Sequence, residues 1–217
     1  MLVATKKLRS NRAWLERHLT DHWVKLAQKD GYRARSAYKL IQINEKERIF
    51  KPGISVVDLG SAPGSWSQVA RRLLSRKDGS LDGRIVAMDI LPMDPVDGVD
   101  FLQGDFREQD VCDRLAEIVG SAKVDVVMSD MAPNLSGIAA SDQARSMLLC
   151  ELALEFAQDH LKPSGWFIAK AFQGSGYSQF VEAVHRFFTR VQILKPEASR
   201  DTSSEQYIVA KGLKPRR

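Results

Sequence analysis

Apolar positions along this chain follow two rhythms. Short continuous runs recur at 54–59 (ISVVDL), 84–90 (RIVAMDI), 99–105 (VDFLQGD), 124–130 (VDVVMSD), 165–172 (GWFIAKAF), 190–196 (RVQILKP) and 204–213 (SEQYIVAKGL). Turn residues bound them, so each is expected to be a strand. Between the runs, apolar residues fall at helical spacing. Trp66, Val69 and Leu73 share one face of 65–76, and 107–120, 142–161 and 177–188 read likewise. Gly120 ends the second of these helices, and Lys162-Pro163 closes the third. Alternation of apolar strands with helices predicts an α/β fold, a mainly parallel sheet covered on both faces. The last two runs leave no room for a helix between them and should pair antiparallel at one edge. Residues 1–50 differ: helical patterns at 14–26 and 34–49, broken at Asp30-Gly31, predict a helical extension on or beside the sheet.

Charge sharpens that division. Of 32 Lys/Arg and 27 Asp/Glu, residues 1–50 hold 12 and 5, a balance of +7, leaving 20 and 22 for residues 51–217, a balance of −2. A basic segment on a near-neutral body suits a polyanion partner, or a face that is simply well solvated. No run of about 18 apolar residues occurs, so no membrane span is expected. The first 18 residues hold no apolar stretch of signal length, so export is not expected and a cytoplasmic protein is. Cys112 and Cys150 read as reduced thiols in helices.

Ligands of such sheets sit at the carboxyl ends of the strands, so the residues just after each run carry the chemistry. Asp58 is followed by Gly60, Ser61, Ala62, Pro63, Gly64, Ser65 and Trp66. Small residues admit a ligand to the backbone, and the helix beyond presents free N–H groups. The spacing is not G-x-G-x-x-G, and Pro63 removes a donor that a pyrophosphate would use. Asp89, after the second strand, suits ribose hydroxyls. Asp105, after the third, suits an adenine amine or, equally, a helix cap. Lys170 lies within an otherwise apolar strand, a costly place for an ammonium without a partner or a task. Glu205 starts the last strand and reads equally as exposed or functional. Nothing local marks Lys39, which looks like any helix-surface lysine. His18 and His22 are four apart on a helix but lack a third ligand, so no metal is expected.

The segments DLGSAPGSW, MDILPMDP, FLQGDF, SDMAPN, IAKAFQG and SSEQYIVAKG, with YRARSAYKL near the N-terminus, resemble the FtsJ/RrmJ (RlmE) family. The resemblance runs from about Trp14 to Lys211, and its one local departure is Ser65, where a second glycine is expected. It implies a Rossmann-like methyltransferase fold, seven strands with an antiparallel C-terminal hairpin. It also implies a basic helical N-terminal extension over 1–50 and a catalytic domain over 51–217. The implied activity is S-adenosylmethionine-dependent methylation of the 2′-hydroxyl of a uridine in 23S ribosomal RNA, within the 50S subunit or its precursor. The implied catalytic tetrad is Lys39, Asp130, Lys170 and Glu205, and the implied donor pocket includes Gly64, Trp66, Asp89, Asp105 and Asp130. A monomer without membrane attachment is expected.

Such a transfer is an in-line displacement helped by holding three atoms in line. Lys170 is the candidate base. Burial and a neighbouring Lys39 favour its neutral form, while Asp130 and Glu205 favour its charged form, and sequence does not decide between them. Lys6, Lys7, Arg9, Arg12, Arg33 and Arg35 are the candidates for holding RNA phosphates. Competing readings are a nucleotide-dependent oxidoreductase, a non-catalytic RNA-binding protein on the same fold, and the same chemistry on messenger RNA caps or transfer RNA.

Overall fold

A computed structural model describes residues 20–215. In chain order the elements are α1 (His22–Asp30), α2 (Ala37–Glu47), β1 (Ile54–Leu59), α3 (Ser65–Leu73), β2 (Gly83–Asp89), β3 (Val99–Gln103), α4 (Gln109–Val119), β4 (Val124–Ser129), α5 (Ala139–His160), β5 (Leu161–Phe172), α6 (Tyr177–Phe187), β6 (Phe188–Leu194) and β7 (Glu205–Leu213). One seven-stranded sheet runs in the order β3-β2-β1-β4-β5-β7-β6. The first five strands pair in parallel, and β7 is antiparallel to both β5 and β6.

Strand alternation divides the core in two. Val57 and Leu59 of β1 face one layer with Val111 and Leu115 of α4, Leu154 and Ala157 of α5 and Phe180 of α6. Val56 faces the other, with Val69 and Ala70 of α3 and Ala37, Leu40 and Ile43 of α2. The boundary expected at residue 50 therefore falls between two elements that share one core. Residues 1–19, with Lys6, Lys7, Arg9, Arg12, Trp14 and His18, lie outside the described residues.

Helix ends follow local chemistry. Asp21 caps α1 by accepting from Trp23 N–H at 3.0 Å, and Gly31 ends it in the left-handed region at φ 74°. The strand expected at 165–172 begins instead at Leu161. Leu161 pairs with Val124 before the register shifts, because Pro163 has no N–H to continue the ladder. The helix expected from residue 142 starts at Ala139, where Asp142 accepts from the backbone of Ser136 and Gly137 and ties the incoming loop to the first turn.

Candidate active site

The strand order reverses between β1 and β4, and a cavity of about 400 Å³ opens beyond their carboxyl ends. Three carboxylates line it, Asp89 after β2, Asp105 after β3 and Asp130 after β4, with Arg107, which pairs with Asp105, Arg145, and apolar Ile90, Leu91, Phe106 and Leu148. A flat apolar group and a positive charge are what such walls complement.

The loop after β1 has a tighter purpose than making room for a ligand. Gly60 has φ 76°, and a Cβ there would lie 2.5 Å from Met131 Cγ in the loop after β4. Gly64 has φ 108°, and its Cβ would lie 2.5 Å from the Arg33 guanidinium. Both glycines are required by neighbouring protein. Asp89 anchors this loop, accepting from Ala62 N–H at 2.9 Å and, through its other oxygen, from Leu91 N–H at 2.8 Å. Asp105 does not cap α4, whose N-cap is Glu108; it holds Arg107, with Arg107 Nη2 at 2.5 Å. That hydrogen bond, foremost, keeps the Asp105 carboxyl below its ordinary range.

Gly64 and Trp66 stand apart from the cavity walls. The Trp66 indole is buried, donates through Nε1 to Ser36 O at 2.9 Å and packs against Tyr207 at 5.8 Å. Any contact of Trp66 with a ligand must use its backbone at the start of α3. Ser65, in place of the expected glycine, lies buried with Oγ 2.8 Å from Ser36 Oγ, linking α3 to the start of α2.

Lys39, Asp130, Lys170 and Glu205 form two ion pairs. Lys170 Nζ lies 3.1 Å from Asp130 Oδ1 and donates to Asp130 O at 2.6 Å. Lys39 Nζ lies 2.6 Å from Glu205 Oε1. The surface reading of Lys39 is corrected: α2 turns this face toward β7, leaving its side chain 11% exposed. The exposed reading of Glu205 is corrected too, since it is 8% exposed.

Between the pairs stands Tyr207, a fully buried residue that sequence reasoning missed. Its hydroxyl donates to Asp130 Oδ1 at 2.8 Å, and Lys39 Nζ sits 5.6 Å from its ring centre. Burial first, then the charges of Asp130 and Glu205, push this phenol well above its usual range, so it remains a donor. Its signal was available: Glu205 and Tyr207 are two apart on a strand and share a face. Tyr207→Phe is expected to cost about 2 kcal/mol, a lost bond to a charged acceptor, read as a lower urea midpoint with unchanged slope.

Arg33 and Arg35, expected to hold RNA phosphates, also make hydrogen bonds within the protein. Arg33 donates to the carbonyls of Pro63, Asp94 and Pro95 at 2.9, 2.6 and 2.8 Å. Arg35 pairs with Asp21 and donates to Ala198 O at 2.5 Å. These donors brace the loops at 63, 94–95 and 198. Cys150 is buried, its thiol pushed up to about 12 chiefly by burial, and Cys112 is half-buried. Among the described residues, no three His, Cys, Asp or Glu are placed to hold a metal, and no helix is long and apolar enough to cross a membrane.

Comparison with known proteins bears on the same span. The profile of the FtsJ-like methyltransferases matches residues 32–213. The chain is 54% identical over 204 residues to ribosomal RNA large subunit methyltransferase E of Chromobacterium violaceum, covering 94% of this chain and 97% of that one. It is 56% identical over 208 residues to the protein of the same name from Bordetella pertussis, covering 96% and 99%. A crystal structure of a ribosomal RNA methyltransferase from Plasmodium falciparum superposes with a TM-score of 0.73 at 30% identity, covering 85% of this chain and 100% of that one.

Proposed function

Because this chain belongs to the FtsJ-like methyltransferase family, we propose that it methylates the 2′-hydroxyl of a uridine in 23S ribosomal RNA, within the 50S subunit or its precursor, with S-adenosyl-L-methionine as donor. The observation that carries this reading is the placement of a buried lysine, Lys170, against Asp130, which itself lines the acid-walled cavity. The walls fit the donor. Asp89, Asp105 and Asp130 suit its ribose hydroxyls, adenine amine and positive charge, and Ile90, Leu91 and Phe106 suit a flat base. Gly64 and Trp66 would contribute through backbone at the start of α3. Bound there, the donor supplies an electrophilic methyl group.

The protein's own part is positioning and proton transfer. In the reacting form Lys170, having released a proton to solvent, receives the hydroxyl proton on Nζ, and Asp130, at 3.1 Å, stabilises the ammonium that is restored. Tyr207 fixes Asp130 by donating to the same oxygen, Oδ1. Lys39, neutralised by Glu205, orients the incoming ribose. The reading extends to a cytoplasmic monomer whose residues 1–50 form a basic extension to a catalytic domain over 51–217, with Lys6, Lys7, Arg9 and Arg12 as phosphate contacts.

The test is incubation of the protein with methyl-labelled donor and 50S particles, naked ribosomal RNA or transfer RNA. Label should map to a 2′-oxygen of a uridine in the large-subunit RNA, with yield falling steeply as salt rises. Label confined to transfer RNA, or on a base, contradicts the reading.

A further inference from the structure

An ionisable group lies buried beneath the cavity. Asp58 is fully buried in β1. Its Oδ2 accepts from Ser67 Oγ at 2.6 Å, while its Oδ1 has no hydrogen-bond partner. Register places it beside Ala87 of β2 and Met128 of β4. Asp89 and Asp130 lie two residues beyond those partners, on the same face of the sheet. Three carboxylates thus gather at one end of the sheet, and Lys170 is engaged on Asp130.

Helix α3 offers the Ser67 hydroxyl and N–H; β2 presents Asp89; β4 leads to Asp130. Burial, then the negative charges of Asp130 and Asp89, oppose ionisation, and the Ser67 bonds only partly offset them. The carboxyl is raised to about 7. An asparagine would fill this space at less cost, since an enclosed charge without a partner is expensive. A carboxyl is favoured there if positive charge arrives beside it.

We propose that Asp58 is a positioning residue for the methyl donor, neutral in the free protein at mildly acidic pH and ionised when the cationic donor occupies the adjoining cavity, so that donor binding at that pH releases one proton to solvent. The inference rests on the donor reading above. It makes donor affinity depend on pH through a group that touches neither donor nor RNA. Asp58 in its ionised form attracts the sulfonium and the ammonium of the donor; in its neutral form it does not.

The experiment is titration calorimetry of the intact protein with S-adenosyl-L-methionine, in buffers of differing ionisation enthalpy. Close to one proton should be released per donor at pH 6. Asp58→Asn should release none, and the affinity of wild type relative to this variant should rise about tenfold from pH 6 to pH 8, the one-proton factor for a group titrating at about 7. The comparison cancels titration of the donor itself.

Melting temperatures of the free proteins give a second readout. A carboxyl raised on folding destabilises as pH climbs from its ordinary range to about 7. Asp58→Asn should therefore melt higher than wild type at pH 8, by a margin that shrinks toward pH 5. A purely structural bond to Ser67 would show no such trend. Should the variant not fold, proton release by wild type decides alone. Donor binding at pH 6 with heat independent of buffer overturns the inference and leaves the donor reading intact. No donor binding at any pH removes both.

Discussion

Lys170→Ala lowers the single-turnover rate of methyl transfer by about 10³-fold and leaves donor affinity within about threefold of wild type. The separation follows from geometry. Lys170 is 9% exposed and reaches Asp130, whereas the cavity walls are supplied by other residues. Truncation does not orphan Asp130, because Tyr207 still donates to its Oδ1, so the fold should survive. Lys170→Arg sharpens the test. Arginine keeps the charge but stays protonated and cannot take up a proton, so its rate should match that of alanine. Transfer by the arginine variant near the wild-type rate would show that charge alone suffices.

The second large effect is on stability. Lys39→Met leaves the Glu205 carboxylate nearly enclosed without its cation, at a cost of about 3 kcal/mol in urea unfolding. The pair also ties α2 to β7, two elements distant in sequence. Lys39→Met/Glu205→Gln should recover most of the loss, since removing both charges also removes the uncompensated one. Glu205→Gln alone should reduce transfer less than Lys170→Ala does, because Glu205 orients Lys39 and takes no proton. A single variant Lys39→Met that unfolds at the wild-type midpoint would show that the pair contributes no stability.

The seven strands were legible because their apolar runs are continuous and end in turn residues: β1 appears at 54–59 as read, and β4 differs by one residue. The early start of β5 was hidden by Pro163, which marks a bulge there rather than a loop. At the site, Lys170 stands out because an ammonium is costly in an apolar strand. The same cost marks Asp58, in an equally apolar strand, and the hydroxyl of Tyr207. Lys39 was beyond reach of local pattern, because its helix is amphipathic in sequence and only the packing of α2 against the sheet determines which side is enclosed. The bracing bonds of Arg33 and Arg35 were not legible because charge counts alone do not distinguish a guanidinium facing solvent from one bonded to carbonyls.

Everything functional depends on the cavity beyond β1, β2, β3 and β4 seating the donor with its methyl group toward Lys170. A crystal structure of the protein with S-adenosyl-L-methionine measures that directly. It should show the adenine among Ile90, Leu91 and Phe106, the ribose at Asp89, and the methyl carbon on the Lys170 side of Asp130. Donor bound at another surface, or in this cavity with its methyl group turned toward Arg107 and away from Lys170, would contradict the account.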